Sequence, residues 1–214
     1  MRPVPRLLDR TRAGRVAPRW RMRRATALAR LAAPHLGAGR RWYREGQLAV
    51  SRLGDHAASV GAGVGADPAA YAAGVVAVTS PRTTVWGGLQ QACAWISCGR
   101  RPHLPSVAVA LARFEATGEI LGPKTRAFAL ALAGEPSAVV LDVWLSRALG
   151  VPHRAMRGML YQRAAARVRE AAMVAGVTPA TMQAAIWLAM RPTGHRGGHL
   201  TVDAVDRAWE GATC

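Results

Sequence analysis

The chain contains a single lysine, Lys124, against 28 arginines. Arginine cannot act as an amine nucleophile, because its guanidinium group stays protonated and delocalised near neutral pH. A lysine whose pKa is lowered can lose its proton and attack an electrophilic carbon. An acidic residue, Asp142, follows Lys124 by eighteen positions and lies within an apolar run. A composition that uses arginine almost everywhere and lysine once makes Lys124 a candidate nucleophile. The alternatives are that Lys124 has no chemical role in an arginine-rich sequence and that Asp142 only caps a helix.

The segments around these two residues predict that each lies at the start of a helix. Residues 106–116 have helical apolar spacing, residues 117–123 form a tight connection, and a second helix begins at about Lys124. Asp142 is well placed to cap a helix over residues 143–149. The start of a helix presents free N–H groups and a positive dipole end, which can hold a phosphate without reading sequence.

The composition predicts an all-α protein. Half of the residues are apolar, alanine dominates, and no long β-branched run or internal repeat is present. Glycine, proline and polar breaks divide the chain into nine or ten helical segments. We expect one domain over residues 36–214, preceded by a basic arm over residues 1–35 that lacks a fixed structure.

The net charge of +17 is concentrated near the N-terminus, where residues 1–44 hold thirteen arginines and one acid, Asp9. A basic arm on a basic body indicates a polyanionic partner, most often nucleic acid. A solvated tail that binds polyanions non-specifically is the alternative. No apolar stretch approaches the ~20 residues of a membrane span, so no membrane partner is expected.

The cysteines and histidines predict neither a metal site nor a disulfide. Cys93, Cys98 and Cys214 are spaced neither as zinc ligands nor as a disulfide framework, which favours a reducing cytoplasm. His195 and His199 lie four residues apart, but in a glycine-rich loop rather than on a helix face. We therefore expect no metal.

The run Gly-Pro-Lys-Thr-Arg-Ala-Phe over residues 122–128, followed by Val-Val-Leu-Asp ending at Asp142, resembles the helix-hairpin-helix DNA glycosylases of the endonuclease III type. Bifunctional members of that superfamily end the hairpin in Gly-x-Lys-Thr and place a catalytic aspartate at the start of a later helix. Residues 75–84 are similar to the family's helix end and the polar turn that faces the DNA. The hairpin keeps only the last glycine of Leu-Pro-Gly-Val-Gly, and Pro81 stands where glutamine is common. The four closely spaced cysteines of an iron–sulfur cluster are lacking, so the resemblance implies no cofactor.

The resemblance implies a monomeric, nucleoid-associated enzyme of the cytoplasm that binds the phosphate backbone of double-stranded DNA. It would flip a damaged or modified base into a pocket, with Lys124 attacking C1′ of the sugar and Asp142 supporting that attack. Alternatives are a DNA-base modification enzyme of a phage or mobile element with the same fold, and a DNA-binding protein without catalysis. Candidate DNA contacts are Gly122, Thr125 and Arg126 at the hairpin, Ser80 and Arg82 in the polar turn, Arg100 and Arg101 in a basic loop, and Arg41, which lies beside Trp42 and Tyr43 in an aromatic–basic cluster.

Overall fold

The computed structural model describes residues 22–63, 67–191 and 199–212, and within them every regular element is a helix. The predicted all-α class is therefore confirmed. The α-helices are α1 (Ala25–Ala32), α2 (Leu36–Ser59), α3 (Pro68–Thr79), α4 (Val85–Cys98), α5 (Pro105–Thr117), α6 (Pro123–Leu132), α7 (Val143–Leu149), α8 (Gly158–Ala175), α9 (Pro179–Met190) and α10 (Val202–Glu210).

Local capping chemistry sets most helix boundaries. A side-chain oxygen accepts a hydrogen bond from a first-turn N–H at the start of five helices, which satisfies a backbone donor that has no partner inside the helix. Gly118 ends α5 with a φ of 69°, in the left-handed region that glycine adopts without strain. The five capping residues are Asp67, Thr84, Asp142, Thr178 and Thr201.

The helices pack into two lobes, each around its own apolar cluster. The first lobe (residues 36–142 and 199–212) surrounds α3, every residue of which from Tyr71 to Thr79 is buried. The second lobe (residues 22–35 and 143–191) contains α1, α7, α8 and α9, whose side chains form most of the second cluster, and Val139 and Leu141 of the segment before α7 also belong to it. Helix α2 packs closely against α9, and a third, aromatic cluster lies at this contact.

The N-terminal boundary of the folded part differs from the prediction. Leu28 and Ala32 of α1 are fully buried in the second lobe, so the folded part begins before residue 35 and the predicted arm is too long. Residues 1–21 lie outside the described residues. Helix α2 follows directly on a 3₁₀ turn over Ala33–His35, which contains Pro34.

The state of the cysteines also differs from the prediction. Cys93 is free and buried in α4, where burial raises the pKa of its thiol to about 12. Cys98 is disulfide-bonded, so the expectation that no disulfide forms is wrong for that residue. In the part of the chain that the structure describes, no single helix is long and apolar enough to cross a membrane; α8 and α9 pass by length and composition only as a pair, bent by 98°.

Candidate active site

Lys124 and Asp142 line the same cavity, which has a volume of about 750 Å³. Cavities that bind small ligands span roughly 300–1,000 Å³, so this one can hold a nucleotide-sized group. The walls come from both lobes: α2, the α3–α4 turn and α6 from the first, α7 and α9 from the second. Ser80 and Arg82 of the predicted polar turn also line it.

Lys124 is the second residue of α6, one position after the proline that begins the helix. The turn into α6 depends on Gly122, whose φ of 84° is unfavourable for a residue with a side chain. Residues 118–122 join α5 to α6, so the lysine lies at a helix–turn–helix junction as expected. Lys124 is partly buried, and its positive charge acts on Asp142, where it favours the ionised carboxylate.

Asp142 caps α7 and is held by that helix. Its Oδ1 accepts hydrogen bonds from the backbone N–H groups of Trp144 and Leu145, both at 2.9 Å. Burial raises the pKa of the carboxyl group, whereas the Leu145 N–H, Lys124, the Trp144 N–H and the Trp187 side chain lower it. Burial outweighs the other effects, so this carboxyl group is less acidic than an ordinary aspartate. Asp142 is the single acidic residue among those that line the cavity.

A buried hydrogen bond between α2 and α9 forms part of the cavity wall. The Tyr43 hydroxyl donates to Gln183 Oε1 at 2.5 Å, and the two side chains are 5% exposed. Burial raises the pKa of Tyr43 far above its ordinary range, and the nearby carboxylate of Asp142 raises it further. Tyr43 therefore remains a neutral hydrogen-bond donor at any physiological pH.

Aromatic rings form another part of the wall. The Trp42 ring meets the Tyr43 ring edge-on at 4.9 Å and the Trp187 ring edge-on at 5.7 Å, measured between centroids. Phe128 lies 6.2 Å from Trp42. The Arg191 guanidinium covers the Trp187 ring at 4.1 Å, and burial lowers the pKa of this arginine. The site therefore combines flat apolar surfaces with a fixed positive charge.

The turn between α3 and α4 carries backbone strain. Arg82 has a φ of 58°, and it is the one residue other than glycine with positive φ in the described chain. Such a conformation costs on the order of 1–3 kcal/mol in a residue with a side chain and concentrates at functional sites. The side chain of Arg82 is exposed at the cavity. The turn that the sequence predicted to face DNA is thus held in an unusual geometry at the cavity that Lys124 also lines.

The remaining predicted contacts do not line this cavity. Arg126 lies along a second groove beside Glu119, so it and Lys124 line different cavities. Gly122 and Thr125 lie in the α6 start, whereas Arg100 and Arg101 are exposed in the α4–α5 connection.

The predicted aromatic–basic surface around Arg41 is not formed. Arg41 is exposed, but Trp42 and Tyr43 are 7% and 5% exposed and line the cavity. Successive helical residues point in different directions, which separates the aromatic rings from the exposed arginine.

Sequence reasoning missed three residues that complete the site, Gln183, Trp187 and Arg191, and it placed Tyr43 on an exposed surface instead of in the cavity wall. One local signal was present, because Gln183 is a buried polar residue in the largely apolar helix α9 and Trp187 follows it by one turn. The pairing of α2 with α9 depends on tertiary packing, which one sequence does not reveal.

Among the described residues, no group of three or more histidine, cysteine, aspartate or glutamate side chains could hold a metal ion.

The comparisons with known proteins assign the chain to a family. No curated protein and no solved structure matches the chain. One family model matches residues 22–194, which include the second lobe, the first lobe except residues 199–212, and every residue of the cavity except Leu200. The chain therefore belongs to DUF7178, a family of unknown function.

Proposed function

We propose that the chain is a DNA glycosylase-like enzyme with lyase activity, which accepts a flipped base in the cavity and attacks the sugar with Lys124. The observation that carries the proposal is that the single lysine and Asp142 line one cavity of nucleotide size. A base inside a duplex is out of reach of such a cavity, so the nucleotide must leave the stack.

The reaction requires a neutral amine on Lys124. Its Nζ would attack C1′, and the electron pair of the glycosidic bond would leave with the base, which takes up a proton. Loss of a proton from the nitrogen and opening of the sugar ring, with protonation of its oxygen, would give an imine between Lys124 and C1′. Removal of a C2′ proton would then expel the 3′ phosphate by elimination and cut the strand.

Asp142 would act as the carboxylate that stabilises positive charge on the sugar as the base departs. The hydrogen bonds from Trp144 and Leu145 fix its position and leave Oδ2 free of these two bonds. Burial disfavours the charge of the Asp142 carboxylate. The attraction between this carboxylate and a positive charge that develops at C1′ is therefore stronger than the same attraction in water. This is stabilisation that grows toward the transition state.

The aromatic wall suits an unstacked base. Stacking of a base on an aromatic side chain contributes roughly 1–3 kcal/mol, which offsets part of the cost of leaving the duplex. Phe128 and Trp187, which line the cavity and are only partly buried, supply such surfaces.

Borohydride trapping tests the proposal, because hydride reduces an imine to a stable secondary amine. We expect wild-type protein to form a covalent adduct with a duplex that contains an abasic site, and Lys124→Arg to form at least a hundredfold less. The arginine variant keeps the positive charge but lacks a nucleophilic amine. Since the chain has one lysine, the adduct can be assigned by peptide mass mapping without background from other lysine side chains.

The N-terminal amine is the remaining internal control. An adduct that persists in Lys124→Arg and maps to residue 1 would contradict the role of Lys124, and so would wild-type protein that forms no adduct at all. A chemical change of the base without its release, on hypermodified but not on damaged DNA, would instead indicate a base-modification enzyme that uses this cavity.

A further inference from the structure

The charge of the folded protein is strongly segregated between its lobes. In the described residues, the second lobe carries ten arginines and one acid, Glu170, whereas the first carries eleven basic and ten acidic residues. At neutral pH the second lobe therefore has a net charge of +9 and the first of +1, with histidines neutral. The segregation arises in the fold, because α1 joins α7, α8 and α9 across more than a hundred residues of sequence.

The arginines of the second lobe are mostly turned to solvent. Arg163 and Arg169 are exposed on α8, and Arg157 is exposed immediately before this helix. The lone acid of the lobe, Glu170, pairs with Arg167 at 3.2 Å. Within the described residues, Arg163 and Arg169 form no ion pair, so their charges remain available to a partner.

This basic surface begins beside the candidate active site. The Arg147 guanidinium covers the Trp144 ring at 4.6 Å, and Trp144 and His153 both line the cavity. His153 belongs to the turn that leads toward α8. The Arg23 N–H donates to Leu149 O at 3.1 Å, which fixes the start of the described chain at the end of α7. Residues 1–21, which lie outside the described residues, hold seven more arginines.

We propose that the second lobe binds the phosphate backbone of double-stranded nucleic acid alongside the cavity, through Arg147, Arg154, Arg157, Arg163 and Arg169. Arginine binds phosphate with two parallel N–H donors, and several such contacts give affinity without sequence readout. Helix α8, with 18 residues, is about 27 Å long at 1.5 Å per residue, which is shorter than the rise of about 34 Å in one duplex turn, so its arginines can reach phosphates within a single turn.

A membrane surface fits the same face less well. Met159 and Met173 are 64% and 75% exposed on α8, but they lie about 21 Å apart along the helix at 1.5 Å per residue, with arginines between them. They do not form the continuous apolar stripe of an interfacial helix. The choice of a nucleic acid as the partner rests on the proposed function. Binding of phosphates by the second lobe does not require that Lys124 reacts with the sugar.

The test compares two double charge reversals of equal size. Arg163→Glu with Arg169→Glu changes the second lobe, and Arg44→Glu with Arg207→Glu changes two exposed arginines of the first lobe by the same charge. Affinity for an undamaged fluorescent 20-base-pair duplex is measured by anisotropy from 50 to 300 mM salt. Thermal melts confirm that both variants fold.

We expect the second-lobe variant to bind at least tenfold more weakly than wild type at 100 mM salt. Its plot of log affinity against log salt concentration should be less steep, with a negative slope smaller in magnitude by about 2, since each lost phosphate contact removes about 0.9 from that magnitude. The first-lobe variant should stay within about threefold of wild type, with an unchanged slope. Equal losses in both variants would show that net charge alone matters and would overturn the proposal, as would no loss in either.

Two further outcomes separate this proposal from the enzymatic one. If the second-lobe variant loses binding to vesicles of anionic lipid but keeps binding to duplex, the partner is a membrane and the proposal fails. If duplex binding depends on the second lobe as expected but wild-type protein gives no borohydride adduct, the surface is right and the Lys124 chemistry is wrong.

Discussion

Replacing Asp142 with asparagine should lower base release at least a hundredfold and make the protein more stable at neutral pH. Asparagine caps a helix as well as aspartate does, so the hydrogen bonds from Trp144 and Leu145 can be kept. The change removes the negative charge that stabilises C1′, and a lost electrostatic contact of this kind costs about 10²–10³ in rate. It also removes a charge that burial disfavours, which is the origin of the gain in stability.

The gain in stability of Asp142→Asn over wild type should increase as pH rises. The folded protein raises the pKa of Asp142 above its value in the unfolded chain, so the folded state holds the proton to higher pH. As pH rises through the unfolded pKa of about 3.9, the unfolded state gains from ionisation before the folded state does, and the wild type loses stability relative to the variant. The difference in Tm between variant and wild type should be near zero at pH 3, grow as pH rises, and level off above the raised pKa.

Two variants control for the cap. Asp142→Ala removes the capping oxygen and should be less stable than Asp142→Asn by about 0.5–2 kcal/mol, as measured by urea unfolding. Asp67→Asn changes an exposed aspartate that caps α3 by accepting from Ala70 N at 2.7 Å. It should leave both base release and stability close to wild type. Full activity in Asp142→Asn would mean that this residue is only a helix cap.

Local signals in the sequence were sufficient to place Lys124 and Asp142. The glycine and proline before Lys124 mark a helix start, and an aspartate after an apolar run marks another. Both expectations match the structure because caps depend on neighbouring backbone atoms alone. Whether the two helix starts share a cavity depends on how α6 and α7 pack, which the sequence could suggest only through a resemblance.

The errors have a common physical cause. Leu28 and Ala32 are buried in the second lobe. They lie among arginines, and this density of charge led to the prediction that residues 1–35 form a basic arm without a fixed structure. Neighbouring arginines likewise led to the prediction that Trp42 and Tyr43 lie on a basic surface. In each case a helix is basic on one side and buried on the other, and the buried side is decided by a partner helix distant in sequence.

The contact between α2 and α9 makes the position of Gly39 critical. A Cβ atom added there would lie 2.8 Å from Ala185 N and 2.8 Å from Thr181 O, which are backbone atoms of α9. Backbone cannot rotate out of the way as a side chain can, so Gly39→Ala must push the two helices apart. We expect the variant to be less stable by about 1–3 kcal/mol in urea unfolding, although alanine is the better helix former.

A matched control lies two residues away in the same helix. A Cβ atom at Gly37 would meet only Arg41 Nη1, at 3.9 Å, so Gly37→Ala should gain up to about 1 kcal/mol from helix propensity. The same α2–α9 contact carries the Tyr43–Gln183 hydrogen bond, one turn along from Gly39. Gly39→Ala should therefore also reduce base release at temperatures where it is fully folded, whereas Gly37→Ala should not. Equal stabilisation by the two alanines would contradict this close packing of α2 on α9, and with it the wall that joins Tyr43 to Gln183.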